Sequence, residues 1–311
     1  MQSETFKMTE NKDQNCQKGD ATQTKIEKVT QGDTTQTHRI RRIHFTKMHG
    51  CGNNYIYVYL PDNPIADLRQ ASIDWSRQGF GIGSDGLITI DRSEVADFRM
   101  RIFNSDGSEA MMCGNGVRCC GKFVRDHHLT NNKVVTFETL AGIKTLWLQE
   151  NEKGVVTGAK VDMGEPVTQD TQFTVSSCGR EFQGVRVSMG NPHFVIFLDE
   201  KEDIETFDVA KYGSILEHHE AFPDGCNIEF AQKKGDVIRM RVWERGSGIT
   251  MACGTGACAT SVAATLTQET THTNTIQMDG GKLMIEWNEN DGHIYMTGPA
   301  ERVYEGVVEN A

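Results

Sequence analysis

The sequence predicts an α+β fold of two similar halves, each made of several strands around one buried helix. Short β-branched or alternating runs broken by turn residues fill most of the chain after Ile40. Only two stretches break that pattern with helical spacing or an uninterrupted run of small apolar residues. Each of those stretches begins directly after a Cys-Gly-x-Gly motif, so one device is written twice.

Taken in order, Met1 to His38 holds a single aromatic residue, Phe6, few aliphatics, and polar text such as Thr30-Gln31-Gly32-Asp33. Such a segment buries too little apolar surface to offset the entropy of ordering, so a disordered tail is expected. Its acids, among them Glu4, Glu10 and Asp13, argue against a transit peptide. Strands are expected over 43–48, 55–60, 87–90, 98–103, 134–137 and 143–148, where β-branched and aromatic residues dominate. A second set covers 155–163, 185–189, 194–198, 226–230, 237–242, 275–278, 283–287 and 293–296, with turn signals at Lys153-Gly154, Gly235-Asp236, Asp279-Gly280 and Asp291-Gly292. One helix is predicted over 117–128, where Val117, Cys120 and Val124 recur at helical spacing, and the other over 257–266.

Composition narrows the function. At 311 residues and 37% hydrophobic content the chain can build a real core, and no stretch has the apolar length of a membrane-spanning helix. A net charge of -11 would repel nucleic acid and anionic lipid, so a small-molecule ligand is expected and neither nucleic acid nor membrane is. Nine cysteines, an odd number, without a secretory pattern at the N-terminus point to reduced thiols in a cytoplasmic setting.

The chemistry concentrates in Cys113-Gly114-Asn115-Gly116 and Cys253-Gly254-Thr255-Gly256. The glycines let backbone N–H groups approach a ligand, and a helix start adds unpaired donors and the positive end of the dipole. Each motif therefore reads as a carboxylate or phosphate cradle with a thiol at its lip, and the same field should lower the thiol pKa. Two such motifs facing one cleft would set a thiolate and a thiol on opposite faces of one carbon. One would remove the α-proton and the other deliver a proton to the far side, while N–H dipoles meet the charge developing on the carboxylate. The rival readings are that the thiols are small core residues, or that Cys113, Cys119, Cys120, Cys253 and Cys258 hold zinc, although no Cys-x-x-Cys pair with a matching partner exists.

At these residues the sequence resembles the diaminopimelate epimerase family over about residues 42–308. The segments that carry the resemblance are 45–54 (FTKMHGCGNN), 81–86 (GIGSDG), 103–109 (FNSDGSE), 113–118 (CGNGVR), 189–193 (MGNPH), and Glu244-Arg245-Gly246 leading to Cys253. The resemblance implies an isomerase that interconverts LL- and meso-diaminopimelate by proton transfer between Cys113 and Cys253, with no metal, pyridoxal phosphate or other cofactor. It implies that Gly114, Asn115, Gly254 and Thr255 hold the reacting carboxylate. Asn53, Asn104, Asn191, Asn227 and Arg245 would bind the distal amino-acid end, with Glu244 facing an ammonium, and His193 and Glu244 would assist the thiols. Asn side chains suit a ligand with two zwitterionic ends because each offers both donors and acceptors, and Arg245 can grip a carboxylate with its fork.

The resemblance also implies two pseudo-symmetric domains, residues 39–156 with 300–311 and residues 157–299, each a curved, mostly antiparallel sheet around a central helix, and a homodimer. Three positions depart from the family pattern: Asn54 stands where Asp is usual, Ile249 where Glu is common, and Gly86 where some members use a side chain. A related racemase acting on a one-ended amino acid such as histidine, or a non-catalytic thiol or zinc protein, is the alternative.

Overall fold

The computed structural model describes residues 25–30, 35–268 and 270–310. Two compact units divide the chain, Met1–Arg42 with Glu309–Ala311, and Ile43–Val308. In the first, β1 (Lys25–Thr30) pairs antiparallel with the start of β2 (Thr35–Gly50), Thr30 facing Thr35 and Lys25 facing Ile40. The remainder of the expected tail, residues 1–24 and 31–34, lies outside the described residues.

The second unit is one motif built twice. Its first copy runs from the end of β2 through β3 (Asn53–Tyr59), α1 (Leu68–Ser76), β4 (Gly86–Asp91), β5 (Phe98–Asn104), β6 (Glu109–Ala110), α2 (Gly114–Asp126), β7 (Val134–Thr139), β8 (Gly142–Glu150) and β9 (Val156–Gly164). After β10 (Val167–Ser177), the second copy runs through β11 (Arg180–Ser188), β12 (Pro192–Phe197), α3 (Val209–Glu217), β13 (Asn227–Lys234), β14 (Val237–Glu244), β15 (Gly248–Ile249), α4 (Gly254–Thr267), β16 (Thr273–Met278), β17 (Gly281–Trp287) and β18 (Ile294–Pro299), and β19 (Glu301–Asn310) follows. The pairings repeat as well. β3 lies parallel to β4 and β5 parallel to β7, just as β12 lies parallel to β13 and β14 parallel to β16, while β4–β5 and β13–β14 pair antiparallel. β9 joins the copies, hydrogen-bonded to β8 on one side and to β18 on the other.

Each sheet half curves around its own long helix. Val117, Cys120 and Val124 of α2 are fully buried, and Phe123 nearly so, against strands that carry Val135, Leu146 and Val161. Full burial of an apolar side chain of that size contributes on the order of 1.5–3 kcal/mol. α4 is buried along most of its length by Ala257, Ala259, Val262, Ala263 and Ala264, whose small side chains let the strands close around it. The two shorter helices lie over separate apolar clusters: α1 with Trp75, Leu87 and Phe103, and α3 with Phe194, Phe207 and Phe230. Among the described residues no helix is long and apolar enough to cross a membrane.

Candidate active site

Both motif cysteines are helix N-caps. Cys113 has extended backbone (φ -134°, ψ 116°) and its Sγ accepts from the Gly116 N–H at 3.4 Å. Cys253 repeats this with φ -120°, ψ 113° and the Gly256 N–H at 3.4 Å. A sulfur occupies the place where Ser or Asp usually satisfies first-turn donors, so the helix start favours its anionic form. The two starts touch: a Cβ built on Gly254 would lie 3.6 Å from the Gly114 Cα, and Asn115 Nδ2 donates to the Ala252 carbonyl at 3.4 Å. A Cβ at Gly114 would come 2.6 Å from Met296 Cε, the far end of a flexible side chain, and one at Gly256 2.7 Å from Glu229 Oε1. First-turn N–H groups from two helices therefore converge at one place beside two thiols.

The expected lowering of the thiol pKa is overturned. Burial pushes the Cys113 thiol up, the Gly116 N–H opposes it, and Glu244 adds to it. Cys253 is pushed well above the ordinary thiol value by burial, then by Glu244 and Glu229, against the pull of Thr255 and Gly256. Dehydration of a thiolate outweighs the field of one helix start. Glu244 itself is raised by burial and is held by the Thr250 hydroxyl and the Cys253 thiol.

Each thiol heads a hydrogen-bond chain. Cys113 Sγ donates to Asn53 Oδ1 at 3.2 Å, and Asn53 Nδ2 donates to Asp85 Oδ2 at 2.9 Å. Cys253 Sγ meets Thr255 Oγ1 at 3.6 Å, Asn191 Nδ2 donates to that hydroxyl at 3.3 Å, and Asn191 Oδ1 faces His193 Nε2 at 3.1 Å. His193 Nδ1 lies 2.7 Å from Glu229 Oε1, with both side chains fully buried.

Against this geometry, a family model for diaminopimelate epimerase matches residues 45–169 and 185–303. The chain belongs to the diaminopimelate epimerase family. A relative so named from Bacteroides thetaiotaomicron is 55% identical over 269 residues, covering 86% of this chain and 98% of its own. Another from Phocaeicola vulgatus is 52% identical over 279 residues, covering 86% and 98%. The crystal structure of a PhzF-family phenazine biosynthesis protein from Bacillus anthracis aligns with TM-score 0.67 over 86% of this chain and 99% of that one, at 19% identity, and shares the fold.

Within this member of the diaminopimelate epimerase family, Cys113, Gly114, Asn115 and Asn53 gather with Cys253, Gly254, Thr255, Asn191, His193 and Glu244. Three other expected residues make local hydrogen bonds. Asn104 Nδ2 donates to Ser108 Oγ at 3.0 Å in its turn. Asn227, buried, donates to the Pro192 carbonyl at 2.8 Å and accepts from the Arg245 N–H at 3.0 Å, which fixes the backbone of Arg245. The Arg245 side chain is exposed and donates to the Asp224 carbonyl at 3.0 Å. Among the departures, Asn54 gives both its N–H and its Nδ2 to Asp85 Oδ2, so a carboxylate stands beside this position although Asn occupies it. Ile249 is exposed on β15.

Sequence reasoning missed Asp85, Glu229 and Arg118. Glu229 is the one charged residue of the strand segment 226–230. Arg118 carried a signal, standing four residues after Gly114 and so on the same face of α2.

Proposed function

We propose that the protein epimerises diaminopimelate, interconverting its LL and meso forms with Cys113 and Cys253 as the acid–base pair. The observation that supports this most is the contact between two helix starts, each capped by a cysteine sulfur. In this reading the reacting carboxylate rests on the N–H groups of Gly114, Asn115, Gly254 and Thr255. One sulfur, as thiolate, takes the α-proton; the electron pair left on carbon is delocalised into the carboxylate, and the other sulfur gives its proton to the opposite face. The thiolate and thiol have then exchanged roles, and the reverse reaction starts from that state.

Glu244, beside Cys253, and His193, reached through Asn191 and Thr255, move the proton that returns the pair to its starting form. Asn104, Asn227, Arg245 and Asn53 are assigned to the distal zwitterion, Asn227 by holding Arg245 in place. Residues 39–156 with 300–311, and 157–299, act as lobes that close on the ligand and dry the site, and the chain works as a homodimer. A reducing, cytoplasmic compartment is part of the proposal, because both sulfurs must stay reduced. Protein groups alone carry the chemistry, so activity should survive dialysis against a chelator and need no added cofactor.

The test is turnover of LL-diaminopimelate in deuterated water, with histidine and proline as comparison substrates. In the first turnover deuterium should enter only at the inverted stereocentre of diaminopimelate. Cys113→Ala and Cys253→Ala should each lower kcat/KM by roughly 10²–10⁴-fold, the range for removing a positioned acid or base. Full activity in either variant, or a preference for histidine, would defeat the reading.

A further inference from the structure

Arg118 is fully buried, and it stands first among the largest side chains so placed. Its guanidinium makes no ion pair among the described residues. Instead Nε donates to the Pro299 carbonyl at 3.1 Å, Nη1 to the Gly114 carbonyl at 3.2 Å and toward Met296 Sδ at 3.6 Å, and Nη2 to Asn115 Oδ1 at 2.9 Å and toward Cys51 Sγ at 3.9 Å. Backbone is cleared for it on two strands. A Cβ at Gly50 would lie 2.9 Å from Nη2, and one at Gly298 3.1 Å from Cζ.

A buried cation without a carboxylate is costly, and it is kept only where something compensates it. The contacts point to what does. The Gly114 carbonyl belongs to the same peptide as the Asn115 N–H, and a charged donor on the oxygen makes that N–H a stronger donor. Asn115, held by Nη2, reaches the Ala252 carbonyl with its other end and so ties the second helix start to the first. The positive charge also pulls the Cys113 thiol down against its burial. In the second copy the position five residues after the capping cysteine is Cys258, so one cation serves both helix starts.

We propose that Arg118 is the positioning residue of the carboxylate cradle, supplying through the Gly114–Asn115 peptide and the Asn115 side chain the positive charge that an incoming carboxylate balances. This rests on the reading of the cradle given under Proposed function, and its test separates the two. The apolar variant Arg118→Met and the neutral polar variant Arg118→Gln are compared with the unaltered protein in two assays. In turnover of diaminopimelate, kcat should fall at least 100-fold in each folded variant while KM rises less, because the carboxylate gains charge as the proton leaves. In alkylation of Cys113 and Cys253, the rate ratio of anionic iodoacetate to neutral iodoacetamide should fall at least tenfold, whatever the natural substrate.

A side chain that only fills space would move neither the ratio nor the kcat-against-KM split. A folded neutral variant that keeps the alkylation ratio within twofold overturns the proposal. Arg118→Lys keeps the charge and should keep the preference for iodoacetate; a folded Lys variant without that preference overturns it as well. Should the unaltered protein fail to turn over diaminopimelate while the ratio still collapses in the neutral variants, the substrate reading falls and the role of Arg118 stands.

Discussion

At the scale of single residues, the two thiols are unequal although their motifs match. Leu87 lies opposite Ile56 and Phe103, as Ile228 lies opposite Phe194 and Trp243. Counting outward from those registers, Asn53, Tyr55, Ile88 and Asn104 in the first copy correspond to Asn191, His193, Glu229 and Glu244 in the second. Carboxyls therefore crowd Cys253, and they help hold its proton. Glu229→Gln removes one of them while keeping the shape, so Cys253 should ionise at lower pH. Its alkylation by iodoacetamide near neutral pH should therefore be faster, with Cys113 little changed. The pH profile of modification at each cysteine, followed by mass spectrometry, checks this; an unmoved Cys253 profile would remove Glu229 from the site. None of this inequality is visible in the text of the chain, because it depends on which strand residue lies under which helix.

At the scale of elements, α2 and α4 were legible and α1 and α3 were not. The long helices are buried on most sides, so their apolar residues and the preceding glycines stand out. α1 and α3 are nine residues each and bury few side chains, so their periodicity is weak. Their start signals were present nonetheless: Asp67 and Asp208 accept from the N–H groups of Gln70 and Lys211. The glycines of the long helices can be tested directly. In Gly256→Ala the new methyl meets Glu229, which is locked to His193, so the cost should be about 1–3 kcal/mol with a large fall in activity. In Gly114→Ala it meets the far end of the flexible Met296 side chain, so stability should fall less. Melting temperatures ranked the other way would contradict this account of the cradle.

For the molecule as a whole, the repeat was legible because the Cys-Gly-x-Gly motif is short and unusual. The parallel pairings of β3 with β4 and β12 with β13 could not be read, since a strand's partner is set by distant residues. Global stability should fall in alkali. Burial pushes the Cys119 thiol up to about 11 and Cys258 up to about 12. Cys113, Cys120 and Cys253 are raised too. A raised acid retains its proton in the fold but loses it in the unfolded chain, so the fold is unaffected below the ordinary thiol pKa and weakens as pH climbs past it. Melting temperature measured from pH 7 to 10.5 should hold to about pH 8 and then decline, each unit of mismatch costing about 1.4 kcal/mol per thiol.

β9 uses both of its ladders, one on β8 and one on β18. Cutting the gene between the two copies would thus leave a raw rim of unpaired amides on each fragment, along β9 in one and β18 in the other. Such rims recruit other chains, so neither fragment should be well behaved alone, and co-expression ought to rescue both by letting the seam zip shut.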